Sequence, residues 1–376
     1  MKPIKICHIS STRDRNDPWI LRKCVYLKNE GYKVSYLIND EQKSECINGV
    51  QIYSTGKKFE NRKERMMQGV NCLYAKALKI DADIYQLHDP ELLRVAVAIK
   101  NHGKKVVFDS HEDYYLQIRE KQYIPKILRN CVAASYRCFE TLVLKKIDGV
   151  MFPGTNAIKN PFEGRTKHFA YANNVPSLEE IEFAKSGLPK ERAVCYSGTL
   201  TEDRGITNLV KAAYLADVKL FLAGKFTSDE YREKMLSMEE WGCVDYLGYV
   251  GRKEIYEMYS RSRIGMSTLL PVGQYDKSSN LPTKAYEYMG CALPVILSDF
   301  PYNRKMIEKY QFGEIVDSCN VEEISEKIRQ LIDDEEKCQK MGERGEALIR
   351  NKLNFGIEGK NMIRFYDEIL GIHTIS

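Results

Sequence analysis

The stretch SNLPTKAYEYMGCALPVILSDF, Ser279–Phe300, combines a short helix with a buried strand. A helix start is predicted near Asn280–Pro282, because proline fits a first helical turn, where its missing N–H has no intrahelical partner. Gly290 is predicted to end the helix, and the apolar run LPVIL is typical of a strand buried on both faces. Lys284 and Glu287 stand three residues apart and share one helix face. They can bind phosphate and sugar hydroxyls, or form an ordinary ion pair on an amphipathic helix.

The alternation of strand and helix runs through the chain and occurs twice. One series begins at Ile4–Ile9 and the other at Ala193–Tyr196, after a looser polar segment. A length of 376 residues suits two domains of roughly 180 residues each. Two βα series with short connections predict an α/β protein with two doubly wound parallel sheets. We place the domains at 1–178 and 190–354, with a last helix in 355–376.

Composition and charge exclude several classes of protein. No apolar run reaches the roughly 18 residues of a transmembrane helix. Eleven scattered cysteines without a Cys-x-x-Cys pair predict reduced thiols in a cytoplasmic protein, with neither a disulfide framework nor structural zinc. Residues 1–185 carry a net charge of +9 and the remainder −4. A basic half can contact anionic lipid or a lipid-linked diphosphate, or can be a solvated surface. No nucleic-acid-binding motif accompanies it.

Polar residues follow several predicted strands of the first domain. The first loop lacks a dinucleotide glycine fingerprint, which disfavours a nicotinamide dehydrogenase, and it places Asp17 where open α/β sheets bind ligands. His88 and His111 follow two later strands. Because parallel strands end at one edge of a sheet, we expect these histidines to lie near each other and favour a functional role. The predicted helix Ile124–Lys146 interleaves apolar and cationic residues, as on a membrane surface or on a core helix with a basic exposed face.

The second domain opens with the turn SGTLTEDRG, Ser197–Gly205. Gly198 permits close approach of the backbone to a ligand, and a helix predicted to begin near Arg204 directs its N-terminal dipole toward the loop. The guanidinium of Arg204 suits diphosphate oxygens. A simple tight turn explains the glycine equally well. Since this turn and Ser279–Phe300 belong to one sheet, we expect them to converge at one edge.

These stretches resemble the family-four retaining glycosyltransferases of GT-B fold. The resemblance rests on HDPELL, DSHE, SGTLTEDRG, LGYVGRKEIY and the EYMGCALPVI of the opening segment, and it is strongest in the second domain. It implies two Rossmann-like domains facing a cleft, with the final helix crossing back to the first domain. It implies a hexosyltransferase that moves a sugar from a nucleotide-sugar, UDP favoured over GDP, to a glycan or lipid-linked acceptor with retention of configuration. No metal and no cofactor beyond the nucleotide-sugar co-substrate is expected.

The resemblance also implies residue roles. Glu287 matches the family's second glutamate, which holds the ribose, and His111 lies near the transferred sugar; both are predicted to be catalytic. Ser279 stands where the family has its first glutamate, which contacts the donor sugar. Thr199 replaces one of two cations, a charge that Lys225 or Lys284 could supply. The residues predicted to bind substrate are Asp17, His88, Gly198, Thr199, Arg204, Lys225, Ser279, Asn280, Thr283 and Lys284.

The expected setting is surface polysaccharide biosynthesis at the cytoplasmic face of a membrane. The basic first domain is expected to make peripheral contact with anionic lipid, and no nucleic acid partner is expected. Two other hypotheses remain open. Ser279 motivates a nucleotide-sugar-binding pseudoenzyme that scaffolds a partner transferase, and the same fold also accommodates a nucleotide-sugar epimerase.

Overall fold

A computed structural model describes residues 3–121, 124–155, 160–183, 188–273 and 275–372. The chain divides into two compact units, Met1–Asn174 with Gly356–Ser376, and Val175–Phe355. The first unit has 32 Lys and Arg against 22 Asp and Glu, a net charge of +10, and the second has a net charge of −5. No helix in the described ranges is both long and apolar enough to cross a bilayer.

The first unit is built on an eight-stranded sheet. Its strands are β1 Lys5–Ile9, β2 Lys33–Ile38, β3 Glu45–Ile47, β4 Val50–Ser54, β5 Ile84–Leu87, β6 Lys105–Asp109, β7 Gly149–Phe152 and β8 His168–Tyr171. The spatial order is β3-β4-β2-β1-β5-β6-β7-β8, and every pair is parallel except β3 with β4. The carboxyl ends of β1, β5 and β6 therefore meet at one edge.

Six helices of the first unit pack around this sheet. They are α1 Pro18–Asn29, α2 Arg62–Glu64, α3 Val70–Ile80, α4 Leu93–Asn101, α5 Tyr114–Glu120 and α6 Lys126–Leu144. A π-helical turn, Arg65–Gly69, precedes α3, and a 3₁₀ turn, Pro90–Leu92, precedes α4. Asp17 caps α1 by accepting hydrogen bonds from the backbone N–H groups of Trp19 and Ile20, which satisfies two donors that a helix N-terminus otherwise leaves unpaired.

The second unit contains a six-stranded, wholly parallel sheet. Its strands are β9 Ala193–Ser197, β10 Lys219–Ala223, β11 Val244–Gly248, β12 Ile264–Ser267, β13 Val295–Ser298 and β14 Gly313–Val316. The spatial order β11-β10-β9-β12-β13-β14 reverses direction between β9 and β12. Ligands of open α/β sheets bind at such a switch point, beyond the carboxyl ends of the strands.

Eight helices cover the second sheet. They are α7 Leu178–Phe183, α8 Ile206–Leu215, α9 Asp229–Leu236, α10 Arg252–Arg261, α11 Thr283–Gly290, α12 Pro301–Tyr310, α13 Val321–Ile332 and α14 Glu335–Asn351. Helix α7 lies in the segment that we interpreted as a loose polar linker. Its Ile181 is buried, and a Cβ added at Gly290 would lie 2.8 Å from Ile181. Residues 184–187 of that segment lie outside the described part of the chain.

The last helix, α15 Phe355–Leu370, packs against the first unit. A Cβ added at Gly149 on β7 would lie 2.6 Å from the ring of Phe365, and one added at Gly359 would lie 2.3 Å from the ring of Tyr26 on α1. The two glycines therefore allow α15 to lie directly on β7 and α1. Residues 373–376 of the predicted helical segment lie outside the described part of the chain.

Two helix starts in the second unit differ from the sequence prediction. The helix expected near Arg204 begins at Ile206, because Glu202–Arg204 form a 3₁₀ turn and Gly205 adopts a left-handed conformation with φ of 73°. A Cβ at Gly205 would lie 1.9 Å from the carbonyl oxygen of Thr268, so only glycine fits there. Helix α11 begins at Thr283, and Pro282 precedes it as the N-cap residue.

We expect Gly205→Ala to destabilise the second unit more than Gly248→Ala does. The two glycines have φ of 73° and 72°, so both variants carry a similar left-handed strain of about 1–2 kcal/mol. A Cβ at Gly248 meets nothing within 4 Å, whereas one at Gly205 displaces the Thr268 backbone, at a further roughly 1–3 kcal/mol. Urea denaturation of both variants measures the difference. Equal free energies of unfolding would contradict the steric account.

Candidate active site

Three histidines form a hydrogen-bonded chain at the strand-end edge of the first sheet. His8 Nδ1 lies 3.0 Å from His88 Nε2, and His88 Nδ1 lies 3.2 Å from His111 Nε2. His111 Nδ1 lies 3.2 Å from the guanidinium of Arg13. The ring of His111 also stacks on Trp19, with centroids 4.1 Å apart. The predicted proximity of His88 and His111 is thus observed. The hydrogen-bonded chain of side chains also contains His8 and Arg13, which we did not predict.

Arg13 sets the direction of these hydrogen bonds from one end, although His88 Nδ1 also lies 3.3 Å from the carboxylate oxygen Oδ2 of Asp109. An arginine can only donate, so His111 Nδ1 accepts and the proton of a neutral His111 sits on Nε2. That Nε2–H donates to His88 Nδ1, and His88 Nε2–H then donates to His8 Nδ1. The last proton is on His8 Nε2, a buried atom for which the described residues provide no partner.

All three rings are held neutral. Burial lowers the pKa of His8 to about 3 and the pKa of His111 to about 4. The pKa of His88 is well below its usual value, because of burial and of its neighbours His8 and His111. A protonated ring in the middle of the chain would place two donors against each other, so the neutral form is also the form that the hydrogen bonds require.

A buried ion pair lies beneath the histidines. Lys23 on α1 bonds to Asp109 at the end of β6, and their side chains are 1% and 0% exposed. Gln86 on β5 donates to the same carboxylate oxygen at 2.6 Å, and Tyr366 on α15 donates to Gln86. Burial raises the pKa of Asp109, but the Lys23 ammonium, His111 and the hydrogen bonds from Lys23 and Gln86 together outweigh burial, and the net shift is downward. The carboxylate is therefore ionised and paired.

The same residues were tested as a metal site. Ligand atoms of His88, Asp109 and His111 lie within 4.8 Å of one another. Lys23 nevertheless bonds directly to Asp109, and the facing nitrogens of His88 and His111 bond to each other. A divalent cation would have to displace an ammonium group and break the histidine chain. The donor set does not fit a metal ion.

The loop after β1 is held in place by Asp89. The Oδ2 atom of Asp89 accepts from Ser10 Oγ at 2.7 Å and from Ser11 N–H at 2.6 Å. This anchorage positions Arg13, which reaches His111 and also lies 3.4 Å from Asp17. Asp17, predicted to bind substrate, has one oxygen in the helix cap and the other beside Arg13. Its position supports the loop rather than an open ligand site.

The second unit contains a cavity of about 210 Å³ beyond the ends of β9 and β12. Its lining includes four predicted residues, Arg204, Asn280, Thr283 and Lys284. The other lining residues are Leu269, Tyr275, Ser278, Leu281, Pro282, Phe300 and Asn303. Small-molecule sites usually have about 300–1,000 Å³, so this cavity accounts for part of a nucleotide-sugar. None of its eleven described lining residues is Asp or Glu.

Lys284 is the buried cation of this cavity. Its side chain lies over the ring of Tyr196, with Nζ 3.8 Å from the centroid, and next to Gly198, where an added Cβ would lie 3.3 Å from Nζ. Burial and the nearby Arg204 lower its pKa well below the usual value. Across the described ranges, no carboxylate lies within ion-pair distance of Lys284. An arriving anion would relieve both effects.

Glu287, by contrast, is held by two protein donors. Arg252 donates to Oε1 at 2.8 Å and Tyr259 donates to Oε2 at 3.0 Å. Glu287 and Lys284 therefore do not form the i, i+3 ion pair that the sequence alone allowed, although they share α11. A carboxylate has about four acceptor sites, so two remain for ligand hydroxyls. Arg252 and Tyr259 were missed, although Arg252 stands in the stretch GRKEIY that we had singled out.

Besides Gly198 and Glu287, three predicted residues of the second unit lie outside the cavity lining. Thr199 and Lys225 are exposed in the turns after β9 and β10. Ser279 is half-buried but does not line the cavity, whereas its neighbour Ser278 does. Ser278 and Asn280 hydrogen-bond each other through the Ser278 hydroxyl. The sequence located the right segment but not which of two adjacent serines lines the cavity.

Part of the chain matches a known family. Residues 179–348, which lie within the second unit, match the family Glycosyl transferases group 1. No curated protein sequence matches the chain.

Solved structures resemble the whole chain. A sucrose-phosphate synthase from Thermosynechococcus elongatus has 15% identity and a TM-score of 0.75, over 98% of this chain and 99% of that one. Anabaena Alr3699/HepE, solved with UDP and glucose, has 14% identity and a TM-score of 0.69, over 97% and 100%. A trehalose 6-phosphate synthase from Burkholderia multivorans has 13% identity and a TM-score of 0.68, over 100% of both chains. At these identities the likeness shows the fold, which is the predicted GT-B architecture.

We expect the protein to keep His8, His88 and His111 neutral down to about pH 5. In ¹⁵N-histidine NMR spectra, all three rings should show the Nε2–H tautomer, with His102, exposed in the same unit, as a solvent-accessible reference. Folded pKa values below the unfolded value of about 6.5 mean that only the unfolded chain gains protons as pH falls from 6.5 toward 4. Stability should fall by up to roughly 1.4 kcal/mol per pH unit for each buried ring. Titration of any of these three rings near pH 6.5 would contradict the hydrogen-bonded chain of neutral histidines.

Proposed function

We propose that this glycosyltransferase transfers a hexose from a nucleotide-sugar, UDP favoured over GDP, to a glycan or lipid-linked acceptor with retention of configuration. The observation that carries the proposal is the buried Lys284 ammonium, which lines a cavity with Arg204 and has no carboxylate partner in the described chain. The choice of UDP is supported by the likeness to a structure solved with UDP and glucose. The proposed setting is surface polysaccharide synthesis at the cytoplasmic face of a membrane.

The donor diphosphate would occupy the cavity at the start of α11. No side chain caps this helix, and its N-cap residue Pro282 and first residues Thr283 and Lys284 line the cavity. Uncapped N–H groups, the helix dipole and two cations all favour a dianion there. As the sugar–oxygen bond breaks, negative charge grows on the leaving diphosphate, and these groups stabilise it without reorganising. They can do the work of a metal ion, so we propose a metal-independent reaction.

Glu287 would bind the ribose. Its carboxylate is oriented by Arg252 and Tyr259 and retains acceptor sites for two vicinal hydroxyls. The donor sugar would have neutral partners, since Ser278 and Asn280, the neighbours of Ser279 on either side, line the cavity. Hydroxyl and amide groups can both donate and accept, so they can bind a hexose but confer less charge-based selectivity than a carboxylate.

Retention of configuration is proposed to occur without a protein nucleophile. The lining of the cavity includes no carboxylate among the described residues. Attack by the acceptor on the face that the diphosphate leaves, with a phosphate oxygen taking the acceptor proton, needs none. In this scheme a sugar hydroxyl would replace Arg13 as the donor to His111 Nδ1. His111 positions the sugar as a neutral hydrogen-bond acceptor.

We expect Lys284→Met and Arg204→Ala each to weaken UDP binding by roughly 10- to 100-fold, the loss of a hydrogen bond to a charged group. Uridine, which lacks phosphate, should bind all forms alike. Because binding raises the lowered pKa of Lys284, UDP should bind with proton uptake and more tightly as pH falls. Calorimetry in buffers of different ionisation enthalpy measures the number of protons taken up on UDP binding. Lys284→Met should abolish the part of this uptake that is due to Lys284. Lys277→Met, an exposed lysine of a neighbouring turn, is the control. Equal effects on uridine and UDP would remove the diphosphate assignment.

Turnover decides between the transferase and the other hypotheses. With panels of UDP- and GDP-sugars and saccharide acceptors, we expect product of unchanged anomeric configuration by ¹H NMR, insensitive to EDTA. Glu287→Gln should lower activity at least tenfold, and Glu254→Gln, exposed on α10, should not. Tyr259→Phe, which loses one bond to Glu287, should show a smaller loss. UDP binding without transfer or hydrolysis would favour the pseudoenzyme, and isomerised donor without acceptor would favour the epimerase.

A further inference from the structure

One face of α6 is apolar and exposed over nearly its whole length. Ile127 is 86% exposed and Leu142 is 59% exposed. Every exposed residue of α6 between these two is uncharged. At 100° per residue these positions form one stripe of about 24 Å. Its members are Ile127, Leu128, Cys131, Val132, Ala134, Ser135, Cys138, Phe139 and Leu142, and we call it the α6 face.

A large apolar stripe on a helix is unusual for a surface bathed in water. The opposite side of α6, with Ala133, Val143 and Leu144, already packs in the core. The α6 face is therefore not the core side of this helix. A groove of about 460 Å³ runs beside it, and Cys138 and Leu142 from the face line it with Tyr115. Such a groove can accept apolar chains.

Exposed lysines lie at both ends of the α6 face. Residues 121–147 contain six Lys and Arg and one acidic residue, Glu140. Glu140 is 2% exposed and is paired with Arg165, so it adds little negative charge to the surface. Lys126 is exposed at one end of the stripe, and Lys145 and Lys146 are exposed at the other. The first unit as a whole carries a net charge of +10.

We propose that the α6 face lies in the headgroup region of an anionic lipid bilayer. The apolar side chains would enter the acyl boundary, and the lysines at both ends would contact lipid phosphates. This is the arrangement of an interfacial amphipathic helix, in which apolar burial and attraction to anionic lipid act together. The inference rests on the proposed function for its purpose, since it would hold the enzyme beside a lipid-linked acceptor.

The charge pattern favours a bilayer over a second copy of the chain. A stable protein interface has about 20–30 residues on each side, whereas the α6 face has nine. Pairing two copies through it would also bring two sets of lysines, and two units of +10, against each other. An anionic surface is complementary to the same lysines.

Four exposed cysteines provide a direct test. Cys131 and Cys138 lie on the α6 face, and Cys46 and Cys319 are exposed elsewhere. The full chain would be treated with a water-soluble maleimide, alone, with phosphatidylcholine vesicles, and with vesicles that also contain phosphatidylglycerol. Labelling of each cysteine is then followed by peptide mass spectrometry. We expect phosphatidylglycerol vesicles to slow labelling of Cys131 and Cys138 at least tenfold, and to leave Cys46 and Cys319 unchanged.

Two matched pairs of variants separate the charge from the apolar face. The double variant Lys145→Glu with Lys146→Glu should abolish the protection of Cys131 and Cys138 from labelling. Its control is Lys57→Glu with Lys58→Glu, which makes the same charge change in an exposed loop of the same unit and should leave the protection intact. The double variant Ile127→Asp with Leu142→Asp should also abolish this protection. Its control is Leu236→Asp with Tyr249→Asp, which changes exposed apolar residues of the second unit and should leave the protection intact. Circular dichroism and UDP binding verify that each variant is folded.

The outcomes distinguish this inference from the proposed function. Labelling that no vesicle slows, with sugar transfer to a soluble acceptor intact, overturns bilayer docking alone. Protection by anionic vesicles with no transfer under any condition supports docking and overturns the proposed function. Protection that appears without vesicles as concentration rises, with a doubled mass by light scattering, assigns the α6 face to a second copy and overturns the bilayer.

Discussion

The first unit depends on the buried ion pair between Lys23 and Asp109. Two charges removed from water lose several kcal/mol of hydration each, and only mutual attraction and further hydrogen bonds offset this loss. Gln86 and Tyr366 provide those bonds. The network therefore joins α1, β5, β6 and α15, elements far apart in the sequence. Removing either charge would leave the other buried without a partner, so this pair ties the last helix to the sheet that positions the histidines.

The second unit handles its buried charges differently. On one helix, Glu287 is paired with Arg252 and Tyr259, whereas Lys284 lies over an aromatic ring and near a second cation, with no carboxylate of the described chain at ion-pair distance. The charge of Glu287 is balanced as it stands, and the charged form of Lys284 gains stability when its environment gains negative charge. The two residues therefore have different roles: Glu287 positions a ligand, and Lys284 binds its negative charge. A carboxylate held by two donors presents fixed acceptors, and a desolvated ammonium provides affinity for an anion.

The sequence predicted the repeating framework well because it follows from local patterns. Apolar runs gave β1 and β9 within a residue, and the strand-end rule brought His88 to His111. Long-range partners were not predictable in this way. Lys23 on α1 has no local feature that marks it as the partner of Asp109, 86 residues later. Helix α7 is polar in composition and is held by contacts of Ile181 with distant residues, so periodicity did not show it.

Net charge and site charge are independent in this protein. The second unit has a net charge of −5, yet its cavity is lined by Arg204 and Lys284 and by no described carboxylate. Surface charges act through water and are screened within about 8–10 Å at physiological salt, whereas a buried ammonium acts through a medium of lower dielectric constant. Local desolvation therefore decides which ion binds in the cavity. In the first unit the relation is reversed, because the exposed lysines at the two ends of the α6 face would act on the proposed bilayer, a surface much larger than a cavity.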